Sequence, residues 1–317
     1  MAAQALNLRV LSDDTPDKSL KELQPSSELY RTTQAIIASA LQFSERQDVR
    51  QCLIENGEAL VKAFQQNAKD INWRLEPRGE TKYPEMPGFV DFFLRRFREE
   101  FPEIQLRRHL DSETSMCRKT WAAVPGPENL FSWRGQDIGH LYLKRDIIEY
   151  MVDRPSRAAY KSFMFQMVVS VAHQLTHFLT CALTGSAETV TPRGLNNDYG
   201  EGQAGFFFEL NALNGIVEFY AKPPPPPRPI DLRQPGIPYI FKGKSKEALG
   251  VVLDQSVIQN FVDNITTVPL PLIQEIDGRA DAIARGDVVK RTGGLLNDIR
   301  NEDDGRPRTP LPSRCLD

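Results

Sequence analysis

Histidine and cysteine are scarce in this chain, whose 317 residues contain only four of each. The four cysteines are scattered and form no CxxC pair, which excludes a disulfide-built secreted scaffold. An excess of charge of one sign is also lacking, because 39 basic residues stand against 42 acidic ones and the net charge is −3. This balance argues against nucleic acid and anionic membranes as partners, since binding to either requires a basic surface.

Targeting signals are lacking as well. The N-terminal segment MAAQALNLRV has no charged region followed by an apolar one, so it does not resemble a secretory signal. Cys315 is third from the end, whereas a prenylation box requires a cysteine fourth from the end. These absences predict a cytoplasmic protein.

The segment Phe163–Leu183 contains no charged residue over 21 positions and is long enough to span a membrane. It contains two glutamines and two histidines, however, which are costly in hydrocarbon without partners. Pro155 precedes the helical pattern and Gly185 follows it, as expected for the two ends of a helix. We therefore predict a helix buried in a globular core.

Hydrophobic periodicity predicts a helix-rich α+β chain. The predicted helices are at about 26–43, 46–71, 89–101, 157–183, 203–213 and 256–262, with a short helix capped by Asp146. The predicted strands are at about 104–106, 119–124, 138–144 and 237–243. The predicted divisions are a disordered arm (1–25), a helical region with the first strands (26–135), a central core (136–222), a proline-rich linker with a strand and helices that complete the same domain (223–296), and a disordered tail (297–317).

Two of the four histidines, His173 and His177, are four residues apart on the longest predicted helix. Side chains at this spacing lie on one helix face, so both imidazoles can reach one point. Two such histidines are half of a tetrahedral zinc site. Four histidines form six pairs, and at least one of these pairs is four residues apart by chance in roughly 4% of chains of this length. The alternative is a pair of core histidines that bond to backbone or hydroxyl groups.

The segment VVSVAHQLTHFLTCALTG resembles the active-site helix of zincin metallopeptidases, in which the two histidines of HExxH bind zinc and the glutamate is the general base. The segment GHLYLKRDIIEYM resembles the edge strand and connection of a zincin, and GLNNDYGEGQAGFFFELNALNG resembles the segment that supplies a third ligand. The resemblance covers residues 136–220 and extends to uncharacterised zincin-like proteins of filamentous fungi. It implies Zn²⁺, a zincin-like α+β fold with a small sheet packed on the metal-site helix, and a peptide or small-molecule substrate.

The chain departs from the zincin pattern at the general base, because position 174 is Gln. A carboxylate accepts a proton from water, whereas a carboxamide only orients water by hydrogen bonds. Zincin-type proteolysis is therefore expected to be weak or absent. Three interpretations stay open: a pseudoenzyme that acts as a binding or scaffold protein, a small-molecule biosynthesis enzyme that uses the same pocket for non-hydrolytic chemistry, or a hydrolase whose base is Glu201 or Glu209.

The resemblance implies a third metal ligand downstream of His177, and three carboxylates are candidates. Glu201 matches the arrangement of glutamate zincins and is the first choice. Asp198 matches the ligand segment of fungal aspartate zincins. Glu209 is eight residues after Glu201 and is interpreted as either a ligand or a partner that orients a ligand. Each of them is alternatively a solvated surface carboxylate.

Two further features of the same segment bear on the site. Tyr199 is a candidate for stabilising an oxyanion, as tyrosine does in zincins. Gly200, Gly202 and Gly205 would let the backbone pass close to the site, or would simply form a turn.

Overall fold

A computed structural model describes residues 6–13, 19–67, 85–108, 115–119, 134–153, 156–184, 204–221, 235–242, 250–273 and 288–290. Within these ranges 59% of the residues are helical and the strands form two small sheets, so the predicted mixture of helix and strand is confirmed.

The helices have the following bounds: α1 (Glu28–Ser44), α2 (Gln47–Asn67), α3 (Met86–Glu99), α4 (Arg145–Val152), α5 (Arg157–Thr184), α6 (Ala204–Leu213) and α7 (Gln255–Asp263). The strands are β1 (Val10–Ser12), β2 (Lys21–Glu22), β3 (Glu103–Arg107), β4 (Ser115–Lys119), β5 (Gly139–Lys144), β6 (Ile216–Ala221), β7 (Ile237–Phe241), β8 (Gly250–Val252) and β9 (Val289–Lys290). The six helices predicted at about 26–43, 46–71, 89–101, 157–183, 203–213 and 256–262 are present, with ends that differ by a few residues.

Helix α5 is the centre of the fold. Every side chain from position 161 to position 183 is buried, and helices α1, α6 and α7 and strand β4 pack against the helix. In the part of the chain that the structure describes, no helix is both long and apolar enough to cross a membrane. The polar side chains of α5 therefore lie inside a protein core, and each of them requires a partner there.

The first sheet has the strand order β2-β1-β3-β5-β4. Strands β1, β3 and β5 are parallel, and β2 and β4 are antiparallel strands at the two edges. The predicted edge strand GHLYLK is β5, which pairs on both sides, so its assignment to the edge is wrong. Leu141 and Leu143 are fully buried, as expected for a strand that lies in the interior of the sheet.

The predicted disordered arm (1–25) is wrong for residues 6–13 and 19–25, which contain β1 and β2, whereas the rest of the arm lies outside the described residues. Leu6, Leu8 and Val10 are at most 6% exposed and belong to the main core. Their spacing of two residues is a strand pattern. The pattern is short, and a charged segment that contains proline follows it. The composition of that segment is the reason why the sequence predicts disorder here.

Two boundaries near the first sheet differ from the prediction. Strand β4 ends at Lys119, where the predicted strand begins, and residues 120–124 lie outside the described ranges. Helix α4 begins at Arg145 after the N-cap Lys144, so Asp146 lies in its first turn rather than at its cap. The Asp146 carboxylate instead accepts a hydrogen bond from Arg108 at 2.8 Å.

The second sheet has the order β8-β7-β6-β9 and is antiparallel throughout. Strands β6 and β7 pair along five residues, so the chain on either side of the proline-rich run meets in one sheet. Most of the connection between them lies outside the described ranges, as does the predicted tail at 297–317. Asn214 has a φ of 61° and ends α6, and the chain then turns into β6, which packs against α6.

Candidate metal centre

The two histidines of α5 face each other inside the core. The Nε2 atoms of His173 and His177 are 3.2 Å apart, and the two ring centroids are 5.0 Å apart. The residues are 2% and 5% exposed. The four-residue spacing on a helix produces this approach, because it stacks the two side chains one turn apart on the same face.

Glu209 of α6 holds one of the two rings in place. Its Oε1 atom is 2.7 Å from Nδ1 of His173, and its Oε2 atom accepts a hydrogen bond from the backbone N–H of Val217 at 3.0 Å. An ionised carboxylate only accepts hydrogen bonds, so next to an ionised Glu209 the proton of a neutral His173 lies on Nδ1, and Nε2 carries a lone pair. Carboxylates in this position orient the histidine ligands of metal sites. The geometry therefore supports the orienting role for Glu209 rather than the ligand role.

Helix α6 approaches His173 closely because residue 205 is Gly. A Cβ atom at this position would overlap the imidazole of His173. On the next residue, the Phe206 ring meets the same imidazole edge-on, with centroids 5.4 Å apart. The ring of His173 is thus fixed by a hydrogen bond at Nδ1 and by contacts with Gly205 and Phe206. Of the three glycines singled out in the sequence, Gly205 lies against the site; Gly200 and Gly202 lie outside the described ranges.

The separation of the two Nε2 atoms is suited to a shared metal ion. Zinc binds imidazole nitrogen at about 2.0–2.1 Å with tetrahedral angles, which places two ligand nitrogens about 3.4 Å apart. The observed 3.2 Å is close to this value. It also equals the length of a weak N–H···N hydrogen bond. The two nitrogens are thus spaced as two of the ligands of a zinc ion would be, and they are spaced equally well for a metal-free pair.

Gln174, between the two histidines, is 7% exposed. It is the residue that follows His173 on the helix and is turned about 100° from it around the helix axis. The three remaining candidates (Asp198, Tyr199 and Glu201) lie outside the described ranges and stay predictions. Among the residues that the structure describes, no group of three histidine, cysteine, aspartate or glutamate side chains could hold a metal ion.

Among the other histidines and cysteines, the structure describes the side chains of His140, Cys52 and Cys181, and none of these completes a metal-binding group with the pair. His140 alternates with buried leucines on β5, and its Nδ1 atom is 3.3 Å from Glu103 on the neighbouring strand. Burial raises the pKa of the Cys52 thiol to about 12, which makes it a poor nucleophile. Cys181 is fully buried on α5. The buried pair at His173 and His177 is therefore the best candidate site in the described ranges.

Asn56 also helps to position α6 beside the histidine pair, a role that was not predicted from the sequence. Its side chain is 2% exposed, and its Nδ2 atom donates a hydrogen bond of 3.1 Å to the carbonyl of Ala204. This bond ties α2 to the first turn of α6, next to Gly205. No local pattern indicates such a bond, because it joins residues far apart in the chain.

Comparisons with protein-family models, with curated proteins and with solved structures found no match to this chain.

Proposed function

We propose that this chain is a zinc-binding protein of the zincin-like α+β type, with His173 and His177 as metal ligands. The proposed site is of the metallohydrolase type and has Gln174 at the position of the general base. The observation that carries the proposal is the 3.2 Å separation of two buried Nε2 atoms, one of them oriented by a carboxylate bonded to the opposite nitrogen of its ring. Such an arrangement is typical of histidines that bind zinc.

The residues divide the work at the proposed site. Glu201 is the first candidate for the third ligand and Asp198 the second, whereas Glu209 keeps the proton of His173 on Nδ1. When bound, zinc supplies a Lewis acid that polarises a carbonyl group. The Gln174 carboxamide donates and accepts hydrogen bonds but takes up no proton. Peptide hydrolysis is therefore expected to be slow. Gln174 thus favours a pseudoenzyme that binds a peptide or small molecule over an active peptidase.

The same contacts support a second candidate function that uses no metal. Glu209, His173 and His177 form a chain of close polar contacts, of 2.7 Å and 3.2 Å. A carboxylate that orients one imidazole, which in turn bonds to a second, is an arrangement suited to general acid–base chemistry. This candidate is an enzyme that transforms a small molecule without hydrolysing it.

Elemental analysis of purified protein separates the two candidates. Wild type purified without a chelator is expected to contain about one zinc per chain, and the His173→Ala variant is expected to contain little. His140→Ala is the matched control, because His140 lies on β5 beside Glu103, and it is expected to keep the zinc. Metal-free wild type would overturn the zinc proposal and favour the metal-free pair.

We further propose that the protein acts in the cytoplasm, with a peptide or small molecule rather than nucleic acid or a membrane as its partner. The support is the nearly balanced charge of the chain, 39 basic against 42 acidic residues. Nucleic acid and anionic membranes both attract proteins with an excess of basic charge, and this chain has no such excess.

A further inference from the structure

A groove on the surface lies where the end of α1 and the start of α2 meet α3. It encloses about 360 Å³ and is lined by Glu45, Arg50, Asp91, Leu94, Arg95 and Arg98. This volume is at the lower end of the range for small-molecule pockets, about 300–1,000 Å³. A protein partner covers about 800 Å² of each surface, so the groove is suited to a small molecule. None of its lining residues belongs to the histidine site.

Positive charge predominates in the groove, because three of its residues are arginines and two are carboxylates. Both carboxylates already have partners. Glu45 accepts hydrogen bonds of 2.7 Å and 2.8 Å from Arg98, and Asp91 accepts one from Arg50. Arg95 makes no hydrogen bond or ion pair within the part of the chain that the structure describes. One positive charge and the five N–H donors of its guanidinium are therefore left for a ligand.

The Arg95 guanidinium is held in position by an aromatic ring. Its central carbon lies over the Phe92 ring, 5.5 Å from the centroid, and Phe92 itself belongs to the main core. A cation–π contact restricts the arginine side chain without a hydrogen-bond acceptor, so the N–H donors stay available. Asp91, four residues earlier on the same helix, is spaced to pair with Arg95. It bonds to Arg50 of α2 instead.

We propose that this groove binds the phosphate group of a small molecule and that Arg95 provides the main contact. The planar fork of a guanidinium matches two oxygen atoms of a phosphate. The flanking arginines keep further donors, because Arg50 bonds to its carboxylate through Nη1 alone and Arg98 through Nε and Nη2. A phosphate group has three strong acceptor oxygens, which suits a groove that is rich in donors. The proposal is independent of the zinc site.

Binding of phosphate compounds to matched variants tests the proposal. The probes are inorganic phosphate, phenyl phosphate and a hexapeptide of glutamate, and their affinities are measured by calorimetry at low salt. The proteins are wild type, Arg95→Gln, Arg95→Lys and Arg31→Gln. Arg31 is the matched control, because it is an exposed arginine of α1 that lies outside the groove and bonds to the carbonyl of Ser26. Melting temperatures show whether each variant is folded.

Wild type and Arg31→Gln are expected to bind phenyl phosphate equally well, and Arg95→Gln about tenfold more weakly. Arg95→Lys, which keeps the charge and loses the fork, is expected to lose about threefold. All four proteins should have the same melting temperature, since Arg95 and Arg31 are exposed. In support of the proposal, equal affinities of wild type for the two phosphates would identify free phosphate as the ligand, and tighter binding of phenyl phosphate would identify an organic phosphate.

Three results would overturn the proposal. The first is wild type that binds neither phosphate probe. The second is the same loss in Arg31→Gln as in Arg95→Gln, because the effect would then come from the total charge of the protein and not from the groove. The third is tighter binding of the glutamate hexapeptide than of either phosphate, which would make the groove a contact for an acidic protein segment.

Discussion

Two polar clusters, a partly exposed one at the end of the first sheet and a buried one on α5, pair their groups in different ways. In the sheet cluster each arginine meets two carboxylates. Arg145 bonds to Glu149 at 2.9 Å and is 3.8 Å from Asp13, and Arg108 bonds to Asp146 at 2.8 Å and to Glu149 at 2.7 Å. In the helix cluster a single carboxylate, Glu209, serves one imidazole, and the two imidazoles face each other.

The difference separates a structural cluster from a candidate functional one. The sheet cluster pairs two arginines with three carboxylates and ties the ends of β1 and β3 to α4. The helix cluster brings together two groups that are both able to bind a metal through Nε2. Changes in the first cluster should therefore alter stability, and changes in the second should alter binding. Four predictions test this division.

The largest expected effect comes from Gln174→Glu, which adds a second carboxylate to the helix cluster. If the site lacks only a general base, peptide hydrolysis should rise by about 10²–10⁴-fold. The rate is measured with a broad mixture of peptides on zinc-loaded protein. Gln51→Glu, on the exposed side of α2, is the control and should have no effect. A Gln174→Glu variant that holds zinc and shows no rise would contradict the zincin-type interpretation of the pocket.

Removal of Arg145 should have the largest effect on stability. Its side chain and that of Asp13 are 7% and 6% exposed, so Arg145→Met leaves buried negative charge uncompensated. We expect a loss of about 3–5 kcal/mol in the free energy of unfolding, measured in urea, with unchanged zinc content. Arg98→Met removes a more exposed ion pair with Glu45 and should cost no more than about 1 kcal/mol. Equal losses in the two variants would refute the structural role of the sheet cluster.

Glu209→Gln should weaken zinc binding without a comparable loss of stability. The amide removes the negative charge that orients His173, and changes of this kind reduce metal affinity by about 10–100-fold. Zinc affinity is measured by competition with a coloured chelator. Glu218→Gln on β6, where the carboxylate accepts a hydrogen bond from Tyr220 at 2.8 Å, should leave the affinity unchanged. An unchanged zinc affinity in Glu209→Gln would show that this carboxylate stabilises the fold and has no role in zinc binding.

The smallest expected effect is that of Arg108→Met. The Arg108 side chain is 45% exposed. Water solvates the charges when its ion pairs are broken, so these pairs contribute little to the free energy of unfolding. The expected loss is no more than about 1 kcal/mol, and it should shrink further at high salt. Unfolding curves at low and high salt provide the measurement. A loss as large as that of Arg145→Met would show that the exposure of an arginine in the sheet cluster does not determine how much it contributes to stability.

Helices were the most predictable elements of this chain. The N-terminus of α1 follows from Ser27, whose hydroxyl accepts a hydrogen bond from the N–H of Tyr30 at 3.2 Å. Strands were less predictable, because their stability depends on distant partners. Strand β1 has only three residues and pairs with β3, so its own sequence carries little signal. Strand β6 was not predicted, because its apolar run directly follows that of α6 and periodicity cannot separate the two.

The candidate site was predictable where it depended on helix geometry. The spacing of His173 and His177 predicted that they would meet, and they do. The sequence left two roles open for Glu209, and only the packing of α6 on α5 favours one of them. The contact of Asn56 with Ala204 depends on how α2 and α6 pack, which no local pattern encodes. Glu201, Asp198 and Tyr199 stay predictions.

The parallel pairing of β1 with β3 has a consequence for folding during translation. Val10 pairs with Ile104, so β1 leaves the ribosome long before its partner strand exists. Until then, Val10 and Leu11 have only the two-residue strand β2 beside them, whereas α1 and α2 can form from local contacts. Because non-local pairings form slowly, the first sheet should assemble late, around a helical layer that is already present. A nascent chain arrested before β3 should therefore show helices but a protease-sensitive N-terminus.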